Sequence, residues 1–169
     1  NPVNDAPTTS NLTITTNEDT DYSGTLLGND VDGDELTFFL MGGGLDKGTL
    51  EITNSTTGEF TYTPFENVNG EDSFNFMVSD GQADFGGTGT ITIDPVNDAP
   101  VALDASWSFD EDIPFNQELY GSDIDGDENF TFSIVTGPEN GILTITNQNS
   151  TYASFSYIAN DNYNGIETF

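Results

Sequence analysis

The sequence predicts an all-β protein made of two tandem β-sandwiches, the second of them truncated. Three observations support this: short runs of alternating apolar and polar residues, turn-forming clusters between those runs, and a set of motifs that returns after 93 residues. A period of two places apolar side chains on one face of a strand and polar side chains on the other. No segment of the sequence shows a sustained helical period.

The internal repeat is the strongest of these signals. Asn4–Pro7 returns as Asn97–Pro100, a spacing of 93 residues, and Asp30–Asp34 returns as Asp123–Asp127 at the same spacing. Self-similarity at a fixed period indicates that one folding unit occurs more than once along the chain. The sequence therefore contains two copies of one unit.

The second copy is shorter than the first. After a small insertion, Phe60 corresponds to Phe155 at a spacing of 95 residues, so the final Phe169 corresponds to Phe74. Residues that would match Asn75–Ile93 are missing, and we expect the chain to be an excerpt from a longer array. The predicted boundaries are 1–96 for the first repeat, 97–169 for the second, and 1–7 and 94–100 for the linkers.

Seven strands are predicted in the first repeat. Six of them are marked by runs of alternating apolar residues. In chain order these are Leu12 and Ile14; Leu36, Phe38 and Leu40; Leu50 and Ile52; Phe60 and Tyr62; Phe74, Phe76 and Val78; and Ile91 and Ile93. The seventh strand is expected around Tyr22–Leu27. Turn-forming residues separate the runs, as at Gly42–Gly44 and Asn69–Gly70. Short antiparallel strands that each bury one face favour a Greek-key, immunoglobulin-like sandwich, with a small barrel as the alternative.

Trp107 is the only tryptophan and has two interpretations. An exposed tryptophan could stack on a sugar ring. However, Trp107 alternates with Leu103 and Phe109, and its counterpart in the first repeat is Ile14, a predicted core position. Because most aromatic side chains serve burial, we predict that Trp107 lies on a strand and packs in the core.

The composition excludes several classes of function. Thirty acidic residues oppose a single cation, Lys47, which gives a net charge of -29, and the chain has no histidine and no cysteine. A nucleic-acid partner requires a basic surface, so none is expected. Imidazole catalysis, thiol chemistry and zinc sites of the Cys/His type lack their residues. No apolar run approaches the length of a membrane span.

The acidic residues are grouped rather than spread evenly. Asp30–Asp34 and Asp123–Asp127 each place three aspartates within five residues, at the end of a predicted strand. Grouped carboxylates repel one another unless a cation lies among them, and a set of oxygen donors alone favours calcium over magnesium. The position of the glycine and the flanking strands do not fit an EF-hand. An acidic turn without metal is the alternative.

Four motifs together resemble a known family. They are Asn17–Thr20, Asp30–Asp34, Val78–Gly81 and Pro95–Pro100. The set is similar to the cadherin-like tandem repeats of large bacterial surface adhesins. The resemblance implies immunoglobulin-like domains with calcium at their junctions, held by an early glutamate, an Asn-Asp linker, an Asp-x-Asp turn and a later aspartate.

The resemblance implies specific calcium ligands. At the junction after the first repeat they are Glu18, Asn97, Asp98, Asp123 and Asp125. At the preceding junction they are Asn4, Asp5, Asp30, Asp32 and Asp80. Asp72 and Glu66 are ranked lower because the motif around them does not match.

The sequence thus predicts a non-enzymatic, calcium-binding, rigidifying repeat of an extracellular bacterial adhesin. Its expected partners are neighbouring repeats of the same chain and a carbohydrate or another cell-surface ligand. The alternative is a calcium-dependent carbohydrate-binding module, for which exposed, coplanar tyrosines beside the acids are required. A glycosidase built on paired carboxylates ranks third, because repeats of this size leave little room for a deep cleft.

Overall fold

Thirteen strands form the regular structure of residues 3–169, the part of the chain that the computed structural model describes. The contacts of the backbone divide the chain into two units, with the boundary between Val96 and Asn97. We refer to them as unit 1 and unit 2. Within residues 3–169 there is no helix that is long and apolar enough to cross a membrane.

Unit 1 contains the seven predicted strands and one additional short pair. The strands are β1 (Thr8–Thr9), β2 (Leu12–Asn17), β3 (Tyr22–Thr25), β4 (Gly28–Asn29), β5 (Thr37–Met41), β6 (Gly48–Asn54), β7 (Glu59–Pro64), β8 (Gly70–Ser79) and β9 (Asp84–Asp94). One sheet has the order β2-β9-β8-β5, a second has β3-β7-β6, and β1 pairs with β4. The prediction of purely antiparallel pairing was wrong at one place, because β2 lies beside the last strand, β9, and runs parallel to it.

The core of unit 1 lies between its two larger sheets. The alternation predicted from the sequence is present on β8, where Phe74, Phe76 and Val78 are buried and the residues between them face outward. The Phe74 ring centroid lies 6.0 Å from that of Phe60 and 6.1 Å from that of Phe76. Burying one such side chain contributes roughly 1.5–3 kcal/mol. Aromatic packing therefore holds a sandwich that has no disulfide.

Gly89 tests how tightly this core is packed. A Cβ atom at Gly89 would lie 2.2 Å from carbons of the Phe74 ring. We expect Gly89→Ala to destabilise unit 1 by about 2 kcal/mol, because the ring has no free space to move into. Gly86→Ala is the matched control, since its Cβ would first meet the flexible Met77 sulfur at 3.2 Å. Urea denaturation measures both, and equal effects would contradict tight packing at Gly89.

Unit 2 is a four-stranded sheet. Its strands are β10 (Val101–Ala102), β11 (Phe115–Ser122), β12 (Gly141–Gln148) and β13 (Tyr152–Ala159), in the order β10-β11-β13-β12. The prediction of a strand from Leu103 to Phe109 was wrong, because that segment forms no ladder. In unit 1 the equivalent strand pairs with β9, and the 169 residues contain no second copy of β9.

Trp107 nevertheless packs against other aromatic side chains, although it is half-buried rather than enclosed in the core. Its ring centroid lies 5.3 Å from that of Phe155, which is buried, and 5.9 Å from that of Phe115. Phe155 also contacts Phe169 at 5.6 Å, which reproduces the contact of Phe60 with Phe74 in unit 1. The two units therefore share the same aromatic centre.

Candidate metal centre

An acidic loop joins β4 to β5 in unit 1, and its first residue organises it. The Asp30 Oδ1 atom accepts hydrogen bonds from the backbone N–H groups of Asp32 at 2.9 Å, Gly33 at 3.0 Å and Asp34 at 3.3 Å. Gly33 has a φ of 81°, a conformation that glycine adopts at little cost. One oxygen of Asp30 therefore closes the turn and leaves the other oxygen for a different contact.

That second oxygen, Asp30 Oδ2, is buried and has no hydrogen-bond partner among the described residues. Carboxylate oxygens of Asp30, Asp32 and Asp34 lie within 4.8 Å of one another. Two unit charges 4 Å apart repel by about 4 kcal/mol at a surface-like dielectric. A buried, unpartnered oxygen among repelling carboxylates fits a hard cation, which would satisfy the orphaned atom and cancel the repulsion. The resemblance to the family did not imply Asp34 as a ligand. Asp34 is the third aspartate of the repeated motif, and that repetition could have identified it in the sequence.

The linker residues that precede β1 are bonded to this end of unit 1. The backbone N–H of Asp5 donates to Asp32 Oδ2 at 2.8 Å, and the side-chain amide of Asn4 donates to Asp80 Oδ2 at 3.0 Å. Gln82, which the sequence did not point to, donates from its amide to Asn4 Oδ1 at 2.8 Å. The structure thus joins Asn4 to Asp80 and Asp5 to the acidic loop, within one end of unit 1.

Asp80 is held in its charged form by these neighbours. The side-chain amide of Asn4, and then the backbone N–H groups of Ala83 and Gln82, hold the pKa of Asp80 below its usual value. The two backbone donors lie 2.6 Å and 2.7 Å from Asp80 Oδ1. Hydrogen bonds that favour the carboxylate keep a negatively charged oxygen donor at this end of unit 1.

Unit 2 repeats the arrangement of the linker and the acidic loop. The backbone N–H of Asp98 donates to Asp125 Oδ2 at 2.7 Å, and the N–H of Asp125 donates to Asp123 Oδ1 at 2.9 Å. The Asn97 side-chain amide donates to the Asp98 carbonyl oxygen at 2.7 Å. Gly126 has a φ of 82°, like Gly33 in unit 1. The bond from the linker aspartate to the second aspartate of the acidic loop is therefore present in both units.

Glu18 follows the last residue of β2 and is almost completely buried, with 2% of its surface exposed. Its Oε1 atom accepts a hydrogen bond from the backbone N–H of Val96 at 2.6 Å, and its own N–H donates to the Asp94 carbonyl oxygen at 2.9 Å. A buried carboxylate is costly unless it is well paired, so these bonds fix Glu18 at the point where β9 leads into the second linker.

Residues 4–94 and 97–169 both match the family described as bacterial Ig domain. The chain belongs to this family. Bacterial Ig domains are a structural, non-enzymatic domain type that is typical of surface proteins. No curated protein matches the sequence of the chain.

Solved structures show the same fold. The human protocadherin-24 EC1-2 structure, form II, matches with a TM-score of 0.51 at 20% identity, over 85% of this chain and 67% of that one. Protocadherin gamma B2 extracellular cadherin domains 3-6 match with a TM-score of 0.52 at 16% identity, over 92% of this chain and 39% of that one. At these identities the likeness shows the fold alone, an immunoglobulin-like and cadherin-like sandwich.

A third structural match is weaker. The endo-fucoidan hydrolase MfFcnA4 from glycoside hydrolase family 107 matches with a TM-score of 0.47 at 24% identity, over 91% of this chain. The chain spans only 24% of the length of that hydrolase. This likeness bears on neither the activity nor the ligands of the bacterial Ig chain.

Asp72, one of the two lower-ranked ligand candidates, has another role in this bacterial Ig domain. Its buried carboxylate accepts four hydrogen bonds, so every lone pair of its two oxygens is occupied. The donors are the N–H groups of Asp46, Lys47 and Ser73 and the hydroxyl of Tyr62. Asp72 thus tethers the start of β6 to β8. Burial, and then the bond to Asp72, raise the pKa of Tyr62 above its ordinary value.

Glu66, the other lower-ranked candidate, is exposed in the turn that follows β7. The structure does not join it to the acidic loop between β4 and β5. The next residue, Asn67, donates its backbone N–H to Asp19 Oδ1 at 2.9 Å. Since Asp19 directly follows Glu18, the loops that carry Glu66 and Glu18 are tied together at the opposite end of β2 from Asn4.

The candidates for a sugar platform are Tyr22, Tyr120, Tyr152 and Tyr163. Tyr120 and Tyr152 lie side by side on β11 and β13, but their rings are tilted by 44° with centroids 6.1 Å apart. Tyr22 packs against the core residue Phe60, also at 6.1 Å. A flat aromatic surface, which the carbohydrate hypothesis requires, is not present at the Tyr120 pair of this bacterial Ig chain.

Proposed function

We propose that the chain is a calcium-binding, rigidifying segment of a large extracellular bacterial adhesin. The observation that carries the proposal is the buried, unpartnered Asp30 Oδ2 atom inside a loop of three converging carboxylates. A loop that served only solubility would turn its carboxylates to water, where hydration satisfies them. Asp30 instead holds one oxygen away from both solvent and protein donors, which is the arrangement of a metal ligand.

The chemistry of the donors favours calcium. Each candidate ligand offers an oxygen atom from a carboxylate or an amide, and the chain has no histidine or cysteine that would select a softer metal. Calcium accepts six to eight oxygen ligands in a flexible geometry, whereas magnesium requires a tight octahedron. Asp30, Asp32 and Asp34 in unit 1 would hold the ion, with Asn4 and Asp80 bonded nearby.

The resemblance to cadherin-like repeats extends the proposal to Glu18 and to the unit 2 set of Asn97, Asp98, Asp123 and Asp125. Its support is that Asp98 bonds to the acidic loop of unit 2 as Asp5 bonds to the loop of unit 1. Glu18 in turn is fixed to Val96 at the start of the linker.

Calcium would stiffen the chain by holding each linker on its own unit. Asp5 and Asp98 already donate backbone N–H groups to the acidic loops, and an ion bound to those loops would remove the repulsion that opposes these contacts. Fixing the backbone of a residue costs about 1–2 kcal/mol of conformational entropy, which ion binding offsets. A row of such repeats with fixed linkers would hold a binding head at a distance from the cell.

Calcium is expected to raise the melting temperature of the chain by about 10 °C when it is present at roughly 100 times its dissociation constant, since such binding contributes about 2.7 kcal/mol. Magnesium at equal ionic strength is expected to have little effect. Asp98→Asn should reduce the calcium bound in isothermal titration calorimetry. Asp104→Asn, an equal charge change at an exposed residue outside the acidic loops, is the control. Equal responses to the two metals would reduce the effect to charge screening and refute the proposal.

A further inference from the structure

The turn between β8 and β9 in unit 1 is closed by one of its own side chains. Asp80 Oδ1 accepts the backbone N–H groups of Gln82 at 2.7 Å and Ala83 at 2.6 Å, and the Asp80 N–H donates to the Ala83 carbonyl oxygen at 3.3 Å. Between them Gly81 has a φ of 88°. An aspartate that bonds to the backbone two residues further on fixes a turn in one conformation. The side chains of Asp80 and Gln82 therefore extend from a backbone that is already held.

Both side chains bond to the same linker residue, Asn4. The Asn4 amide nitrogen donates to Asp80 Oδ2 at 3.0 Å, and the Asn4 Oδ1 atom accepts a hydrogen bond from the Gln82 side-chain amide at 2.8 Å. An asparagine amide has a donor end and an acceptor end, so partners of opposite kind at the two ends fix its orientation. We call Asn4, Asp80 and Gln82 the amide clamp.

The clamp is connected to the acidic loop through the next residue of the linker. The backbone N–H of Asp5 donates to Asp32 Oδ2 at 2.8 Å. Asn4 and Asp5 are joined by one planar peptide unit, so holding Asn4 also holds the N–H that contacts Asp32. Asp32 is one of the three aspartates whose carboxylates converge. A path of hydrogen bonds thus runs from Gln82 to a candidate calcium ligand, entirely within unit 1.

Unit 2 shows what the same linker and loop look like without the clamp. The Asp98 N–H donates to Asp125 Oδ2 at 2.7 Å, as Asp5 does to Asp32. However, the 169 residues contain no counterpart of Asp80 or Gln82 in the second repeat. Unit 2 is therefore an internal comparison in which the linker asparagine has lost its two partners from the β8–β9 turn.

The acidic loops of the two units differ in their hydrogen bonds. Asp30 Oδ1 accepts three backbone N–H groups, whereas among the described residues Asp123 Oδ1 accepts only that of Asp125. The Gly126 N–H instead donates to the Asp123 carbonyl oxygen at 3.4 Å. Within residues 3–169, the three aspartates of the unit 1 loop are the only acidic group that converges closely enough to share a cation. The convergence therefore accompanies the clamp, although the two loops have nearly the same sequence.

We propose that Gln82 is a positioning residue of the calcium site in unit 1, which fixes Asp32 through Asn4 and the Asp5 N–H before any ion binds. This inference rests on the proposed calcium function. Gln82 does not itself bind the ion. A ligand that is held in place beforehand loses less conformational freedom on binding, and the groups that hold it affect metal affinity through it.

Gln82→Ala tests this role because it removes one donor from an exposed side chain and leaves the backbone bonds of the turn in place. We expect calorimetry on the whole chain to show calcium affinity about tenfold weaker in one class of sites, the class that Asp30→Asn removes. In the wild type this class should be the tighter one, since only the unit 1 loop is converged. Gln117→Ala, at an exposed glutamine of β11, is the matched control and should change neither class.

Two further measurements separate positioning from a purely structural role. Gln82→Ala should add nothing to the loss of affinity caused by Asn4→Ala, since Gln82 acts through Asn4. The melting temperature of Gln82→Ala in chelator should stay at the wild-type value, while the rise that calcium produces should shrink. Additive losses, or a Gln82→Ala chain that binds calcium with wild-type affinity, would overturn the inference and leave the proposed function standing. A wild-type chain that binds no calcium would refute the proposed function, and the inference with it.

Discussion

Asp30→Asn is expected to remove most of the calcium-induced stabilisation of unit 1 while leaving its fold intact. Asparagine keeps the Oδ1 atom that accepts the N–H groups of Asp32, Gly33 and Asp34, so the turn can still close. It replaces the orphaned Oδ2 atom with an amide NH₂ group, which carries no negative charge and cannot bind a cation. The variant should therefore lose about 2.7 kcal/mol relative to wild type at a calcium concentration of about 100 times the dissociation constant.

The same substitution should have a different effect in chelator. Without calcium, wild-type unit 1 contains three mutually repelling carboxylates, and Asp30→Asn relieves part of that repulsion. We expect its melting temperature in chelator to equal or exceed that of the wild type, whereas in calcium it should be lower. Glu51→Gln removes one charge at an exposed position of β6 and serves as the control. A variant destabilised by the same amount in both conditions would show that Asp30 matters only for the turn.

Asp72→Ala is expected to destabilise unit 1 by about 3–5 kcal/mol, an effect large enough to unfold a marginal domain. Its carboxylate accepts hydrogen bonds from the backbone N–H groups of Asp46 and Lys47 at 3.1 Å each and from the buried Tyr62 hydroxyl at 2.8 Å. Alanine would leave these donors without their acceptor in a region that water does not reach freely. Urea denaturation measures the loss.

The Asp72 variant also decides between two roles for this residue. If Asp72 serves only to tether β6 to β8, its loss should cost the same free energy in calcium and in chelator. A calcium ligand would instead show a larger loss in calcium. Tyr62→Phe is the matched control: it removes one of the four donors, keeps the ring in the core, and should cost only about 1 kcal/mol. A calcium-dependent difference at Asp72 would restore it to the list of ligands.

Local patterns predicted much of the fold because they do not depend on distant partners. The alternation at Phe74, Phe76 and Val78 requires only that one face of a strand be buried, and the structure buries all three. The parallel pairing of β2 with β9 could not be predicted in this way, because it joins residues such as Leu12 and Gly89 that are far apart in sequence. The prediction of a strand around Trp107 was wrong for the same reason, because a strand needs a partner strand to form a hydrogen-bonded ladder.

The acidic loops could be located from the sequence because their three aspartates lie within five residues, and the 93-residue repeat marked them twice. The hydrogen-bonding role of Asp72 could not be predicted from the sequence, because an aspartate that binds calcium and an aspartate that accepts four hydrogen bonds are the same residue type. The hydrogen bond from the Asn67 N–H to Asp19 Oδ1 could not be predicted either, because the residues of one turn do not specify the other turn as a partner.

The sequence by itself determined the two repeats, the strands of unit 1 and the positions of the acidic turns, since periodicity and turn chemistry act over a few residues. Only the tertiary structure decided which carboxylates are saturated by protein donors and which keep an unpartnered oxygen. That distinction depends on burial and on hydrogen-bond donors that come from elsewhere in the chain. The carboxylate of Asp72 accepts a hydrogen bond from the N–H of Asp46, whereas Asp30 Oδ2 has no donor among the described residues.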